Sequence, residues 1–168
     1  MSVTLSSVSH LPASVPEPIR ASLVAATEAW CELLGPRLRS LVLFGSVARG
    51  QSTARSDIDL LVIADGFPRS LVERRRPLLA AWSRVRAQQE LPAVDWNLVT
   101  KSPEEAQFHS PLYLDIVEDG LLLVDRGGFF QAVLDAMREL GSRRVFLEDG
   151  SWYWDLKPDF QFGDVVEI

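Results

Sequence analysis

"LVLFGSVARGQSTARSDIDLLVI", residues Leu41–Ile63, consists of two apolar runs joined by a polar loop. The first run breaks at Gly45-Ser46, and the second carries Asp57 and Asp59 at its start. Short apolar runs bounded by such loops read as buried strands. Side chains two residues apart on a strand point to one face, so Asp57 and Asp59 stand side by side while Ile58, Leu60 and Val62 point to the other. Two like charges that close repel unless a cation lies between them. A hard divalent ion such as Mg²⁺ takes carboxylate oxygens together with substrate phosphate oxygens. The pair therefore reads as a metal grip at the end of a strand, although an isolated Asp-x-Asp more often caps a turn beside an exposed acid.

The turn before the pair sharpens the reading. Glycine at residue 45 lets a phosphate approach the backbone, and the amides of a helix start together with the Ser46 hydroxyl can receive its oxygens. A phosphate cradle beside a carboxylate pair points to a nucleoside triphosphate and its Mg²⁺. A third carboxylate, Asp95, opens "AVDWNLVT" (residues 93–100), a strand expected to neighbour the one carrying the pair. On the same face it would bind metal or take a proton from an attacking hydroxyl. Asn97 shares the face of Asp95 and is a candidate nucleotide contact.

Working outward, residues 1–15 are rich in Ser and Pro and are expected to form a loose arm. "PEPIRASLVAATEAWCELLG" reads as a helix with Pro18 in its first turn, Ile19, Leu23, Ala26, Trp30 and Leu33 inward, and Gly35-Pro36 at its end. Residues 70–89 form a second amphipathic helix with Leu71, Leu78, Trp82 and Val85 inward. The basic cluster "RSLVERRRP" (residues 69–77) within it reads as a solvated face. Ser102 and Pro103 open a helical turn, Ser110 and Pro111 open a helix that closes at Gly120, residues 121–125 make a fourth strand, and "FFQAVLDAMRELG" is a helix. Residues 142–168 form a C-terminal tail expected to pack on the core, with Asp149-Gly150 as a hairpin-like turn. Strands alternating with helices predict an α/β fold, a small mixed sheet flanked by helices in one domain.

Composition narrows the function classes. The chain has 168 residues, 47% hydrophobic and 24% charged, with a formal net charge of −6. That charge argues against a surface built to grip a nucleic-acid backbone. A single cysteine, Cys31, excludes an intramolecular disulfide and reads as a small core residue. The N-terminus lacks a signal peptide's basic start and apolar centre, and no apolar run reaches a membrane span. The expectation is a cytoplasmic protein with no membrane association.

"GSVARGQSTARSDIDLLV" resembles the Gly-Ser-x-x-Arg-Gly…Ser-Asp-x-Asp signature of the DNA polymerase β-like nucleotidyltransferases, and is most similar to the branch called minimal nucleotidyltransferases. The likeness covers roughly residues 40–125. It implies that Gly45 and Ser46 hold the β- and γ-phosphates, that Asp57 and Asp59 bind Mg²⁺, and that Asp95 is the third carboxylate. Arg49 matches the motif's arginine, and Arg55 in the same loop is within reach of phosphate. The implied reaction moves a nucleoside monophosphate, AMP by family precedent, from the triphosphate to an acceptor hydroxyl with two Mg²⁺ ions. The favoured acceptor is a tyrosine of a HEPN-domain toxin, which makes this chain the antitoxin; a homodimer is compatible with the family. Two alternatives remain: an aminoglycoside-type small-molecule nucleotidyltransferase, and a domain of the same fold that acts only by binding a partner.

Overall fold

The structure, a computed structural model, describes residues 11–53, 56–108, 110–139, 143–148 and 152–155. Its centre is a four-stranded sheet in the order β3-β2-β1-β4, built from β1 (Leu38–Phe44), β2 (Ile58–Ala64), β3 (Trp96–Lys101) and β4 (Leu121–Asp125). β1 runs antiparallel to both β2 and β4, whereas β2 and β3 are parallel. The sheet is therefore mixed, as its sequence predicts. Antiparallel β1 and β2 are joined by the short loop that carries the signature. Parallel β2 and β3 need a crossover, supplied by the helix α3 (Leu71–Gln88).

Alternation along the strands divides the core into two layers. Leu41 and Leu43 of β1, with Ile58, Leu60, Val62 and Ala64 of β2, face α1 (Glu17–Leu34) and α3. Val42, Phe44, Leu61 and Ile63 face α4 (Pro103–Gln107), α5 (Pro111–Asp119) and α6 (Phe129–Glu139). β1 and β2 are covered on both sides, which is why they read as unbroken apolar runs. On the first layer Trp96 lies edge-on to Trp30 and Trp82, with ring centroids 5.1 and 5.2 Å away. Its indole Nε1 is buried with no hydrogen-bond partner among the described residues.

Local signals end the helices as expected. Gly35 takes a positive φ of 54° after α1, and Ser102 forms a full capping box with Glu105 at the start of α4. Asp125 caps α6 by accepting from the Phe130 and Gln131 amides, and its Oδ1 also accepts from the Ser40 hydroxyl at 2.7 Å. The buried stripe of α1 continues to Leu34, so Leu33 stays 39% exposed rather than inward. On α3 the inward residues are Arg74, Leu78 and Trp82, and Leu71 in the first turn remains exposed.

Arg74 corrects the reading of the basic cluster as wholly solvated. It is buried, donates to the Pro68 and Thr100 carbonyls, and forms a bidentate pair with Glu105. One guanidinium thus ties the loop after β2, β3 and α4 together, while its satisfied donors offset the cost of burying the charge.

The expected loose arm is also corrected where it is described. Leu11 and Val15 are buried in the first layer, and residues 1–10 lie outside the described residues. In the tail, β5 (Arg143–Phe146) and β6 (Trp152–Asp155) pair antiparallel, and Trp154 packs on the second layer with its indole donating to Asp115 of α5 at 3.2 Å. The expected turn at residues 149–150 and the segment after residue 155 lie outside the described residues.

Candidate active site

The end of β1, the start of β2 and the start of β3 meet at one edge of the sheet, and the signature residues gather there. Phe44 pairs with Asp59 across β1 and β2, so Gly45 begins α2 (Gly45–Ala48) one residue beyond that rung. Gly45 has φ +74°, a conformation that favours glycine. Space also demands it. A Cβ on Gly45 would fall 2.1 Å from Oδ2 of Asp59. The turn and the carboxylate are in mutual contact, and no side chain fits between them.

Asp59 is half-buried and Asp57 is exposed. Burial pushes the Asp59 carboxyl above its ordinary range; a hydrogen bond from Asn97 opposes that shift, the Asp57 charge adds to it, and Arg49 opposes it. Asp57 lies just ahead of β2, two residues before Asp59 and one before the first rung of the strand. The Asn97 contact is direct, with its side-chain nitrogen donating to Asp59 Oδ1 at 2.8 Å. It follows from parallel register, which sets Asp59 opposite Asn97 and Ile58 opposite Trp96.

Asp95 sits just before β3, exposed, and its carbonyl accepts from the Ile58 amide at 2.9 Å. That bond belongs to the first rung of the parallel pair, Ile58 opposite Trp96, so Asp95 stands at the entry to β3, one residue outside the strand. Among the described residues, no three His, Cys, Asp or Glu side chains converge as a ready-made metal cage. Asp57 and Asp59 are nonetheless a fitting donor set for Mg²⁺, which commonly takes one or two carboxylates and completes its shell with water and substrate phosphate.

Arg49 follows α2, with Nη1 3.9 Å from Asp119 Oδ2 at the end of α5 and Nε donating to Gln51 at 3.4 Å. Arg55 lies outside the described residues. Ser46 is part-exposed, and its carbonyl accepts from the Gln51 amide at 2.9 Å, which closes the loop behind α2.

A strap from the N-terminal side holds this loop from behind. The Ser14 hydroxyl donates to the Gly50 carbonyl at 2.8 Å, and Arg20 of α1 holds the Pro12 carbonyl at 2.8 Å. Gly50, at φ +68°, is pressed so close to the strap that a Cβ would meet Ser14 Oγ at 2.6 Å. Neither the strap nor the Asp119 contact leaves a signal in the local pattern. The alternating pattern marks Asn97 as a candidate on the Asp95 face, but its bond to Asp59 arises only from the register of β2 and β3.

The profile of the family described as "Nucleotidyltransferase domain" matches residues 25–123, more than half of the chain and all of this site. The chain belongs to that family. A curated relative of this nucleotidyltransferase, a candidate protein adenylyltransferase of Methanocaldococcus jannaschii, is 28% identical over 119 residues, spanning 68% of this chain and 79% of the relative. Among solved structures, a chain of a toxin–antitoxin complex with AMP-PNP aligns at 21% identity over 68% of this chain and 86% of that one, with a TM-score of 0.46. A nucleotidyltransferase-like protein of Sulfolobus solfataricus aligns at 26% identity over 70% and 92%, with a TM-score of 0.39. Among the described residues of this nucleotidyltransferase, no helix is long and apolar enough to cross a membrane.

Proposed function

We propose that the protein transfers a nucleoside monophosphate, by preference AMP, from a nucleoside triphosphate to a hydroxyl on a protein. The observation that carries this reading is the contact of Asp59 Oδ2 with the side-chain-free turn at Gly45. A phosphate seated on the turn lies beside the carboxylate pair, so the triphosphate is oriented with its α-phosphorus at the mouth of the site. Asp57 and Asp59 would hold Mg²⁺, which supplies charge neutralisation on the phosphate oxygens.

The protein's own groups do the rest. The Gly45–Ser46 turn and Arg49 bind and orient the phosphates, and the strap behind Gly50 keeps that turn from drifting. The acceptor oxygen forms a bond to the α-phosphorus, the bond from that phosphorus to the bridging oxygen breaks, and pyrophosphate leaves with the electron pair. The hydroxyl proton passes to Asp95, the exposed carboxylate that stands just before Trp96, the residue opposite Ile58. Positioning supplies much of the rate, because such a transfer asks little covalent chemistry of the protein.

A protein acceptor is favoured by the relative of M. jannaschii, whose name gives a protein as the substrate. The acidic balance of −6 suits docking on a basic partner, such as the HEPN-domain toxin that the family resemblance implies, with this chain as a cytoplasmic antitoxin. The test is Mg²⁺-dependent transfer of label from α-labelled ATP in a lysate of the native host. Wild type and an Asp57→Ala/Asp59→Ala double variant are compared, with products separated by mass. Label on one discrete protein, lost in the variant, supports the reading and identifies the acceptor. Label confined to small molecules replaces it with an antibiotic-type transferase, and no transfer beside tight partner capture replaces it with a binding domain.

A further inference from the structure

Asn97 and Asp59 occupy one rung of the parallel pair β2 and β3, and the two side chains meet at 2.8 Å. An ionised carboxylate only accepts hydrogen bonds, so the amide nitrogen must face it. This bond engages Oδ1, while Oδ2 lies against the Gly45 turn. Both oxygens of Asp59 are thereby fixed in place, with Asp57 two residues earlier, just ahead of β2. Asn97 itself is exposed at the open edge of the site.

We propose that Asn97 is a positioning residue that keeps the Asp57/Asp59 pair ordered before a cation arrives, and that its place on β3 faces the cation position. The inference rests on the reading of that pair as a metal grip. A neutral donor at this rung offsets negative charge without adding any, so the cation-free protein tolerates two neighbouring carboxylates. A carboxylate in the same place has no proton to give and brings a third negative charge to the pair. The site would then be stable only when a cation occupies it. An apolar side chain there adds no charge but leaves Asp59 free to turn away, which weakens cation binding.

The test is the unfolding midpoint followed by circular dichroism, in EDTA and across a Mg²⁺ series, with ionic strength held constant by NaCl. Wild type, N97D and N97A are compared without nucleotide. In EDTA, N97D is expected to melt about 4–8 °C below wild type, the shift of a perturbation of a few kcal/mol in a chain of this length. The rise produced by Mg²⁺ is expected to be largest for N97D, intermediate for wild type and smallest for N97A. Equal rises in all three, a midpoint for N97D that matches wild type in EDTA, or a low midpoint that Mg²⁺ does not raise, would each overturn the proposal. If N97D does not fold in EDTA, calorimetric titration of N97A with Mg²⁺ decides. About tenfold weaker binding than wild type sustains the role, and equal binding removes it. Transfer by wild type is measured separately. The expected order of rises in a protein without transfer removes only the transferase reading, whereas a lost order in an active protein removes only the role of Asn97.

Discussion

Gly45→Ala tests the contact on which the functional reading depends. Residue 45 has φ +74°, where an L side chain costs about 1–2 kcal/mol. The new Cβ would lie 2.1 Å from Asp59 Oδ2, 2.9 Å from its Cγ and 3.2 Å from its Cβ. Non-bonded heavy atoms settle at roughly 3.5 Å, so the carboxylate must withdraw by more than about 1 Å. The backbones are locked by the rung between Phe44 and Asp59, so the side chain yields and the bond from Asn97 is lost or stretched. That adds about 1 kcal/mol to the strain, and the total lowers the melting temperature by roughly 5–10 °C. A displacement of this size at reacting groups costs about 100-fold in rate. The assay is steady-state transfer from α-labelled ATP at a temperature where circular dichroism shows the variant folded. A variant that keeps more than about a third of wild-type kcat would mean that Asp59 and the turn do not act as one unit.

Arg74→Ala removes a buried guanidinium from Glu105 and from the Pro68 and Thr100 carbonyls, and is expected to cost about 2–3 kcal/mol in urea unfolding, since the Glu105 carboxylate left behind is half-exposed. The same pair sets an acid limit. Arg74 holds the Glu105 carboxyl down to about 2 from an ordinary 4.5, so its contribution is complete above pH 4.5 and is lost as pH falls toward 2. Glu105 is 47% exposed in its side chain, so water weakens the pair and the loss is about 1–2 kcal/mol, seen as a stability difference from Glu105→Gln that closes on acidification. Ser14→Ala frees the strap from Gly50 and is expected to raise the KM for the nucleoside triphosphate about fivefold with kcat little changed, the value of about 1 kcal/mol in ground-state binding. A fall in kcat with KM unchanged would place the strap's effect on the chemical step instead.

Much of the site was legible because its geometry is local. Asp59 stands in the strand read from the second apolar run, and the Gly45 turn follows from a break between two apolar runs. The capping box at Ser102 and the end of α1 at Gly35 are likewise written within a few residues. What stayed hidden depends on register between distant segments. Asn97 reaches Asp59 only because β3 runs parallel to β2 with residue 97 opposite residue 59. Arg74 is buried because Glu105, 31 residues away, meets it in the fold. Residues 11–15 look like a free arm in composition, yet two apolar side chains and one hydroxyl dock them. Leu33 and Leu34 differ by one position, which periodicity alone does not resolve at a helix end.

Trp96 of β3 and the two tryptophans against it have a practical consequence. Trp96 is the residue between Asp95 and Asn97, its indole is wedged edge-on between Trp30 and Trp82, and its N–H finds no partner among the described residues. Any movement of β3 at the cation edge is transmitted to that ring, and neither neighbour is part of the site. Intrinsic emission of the unlabelled protein should therefore follow occupancy of the site, and Trp96→Phe should silence the change while leaving transfer intact.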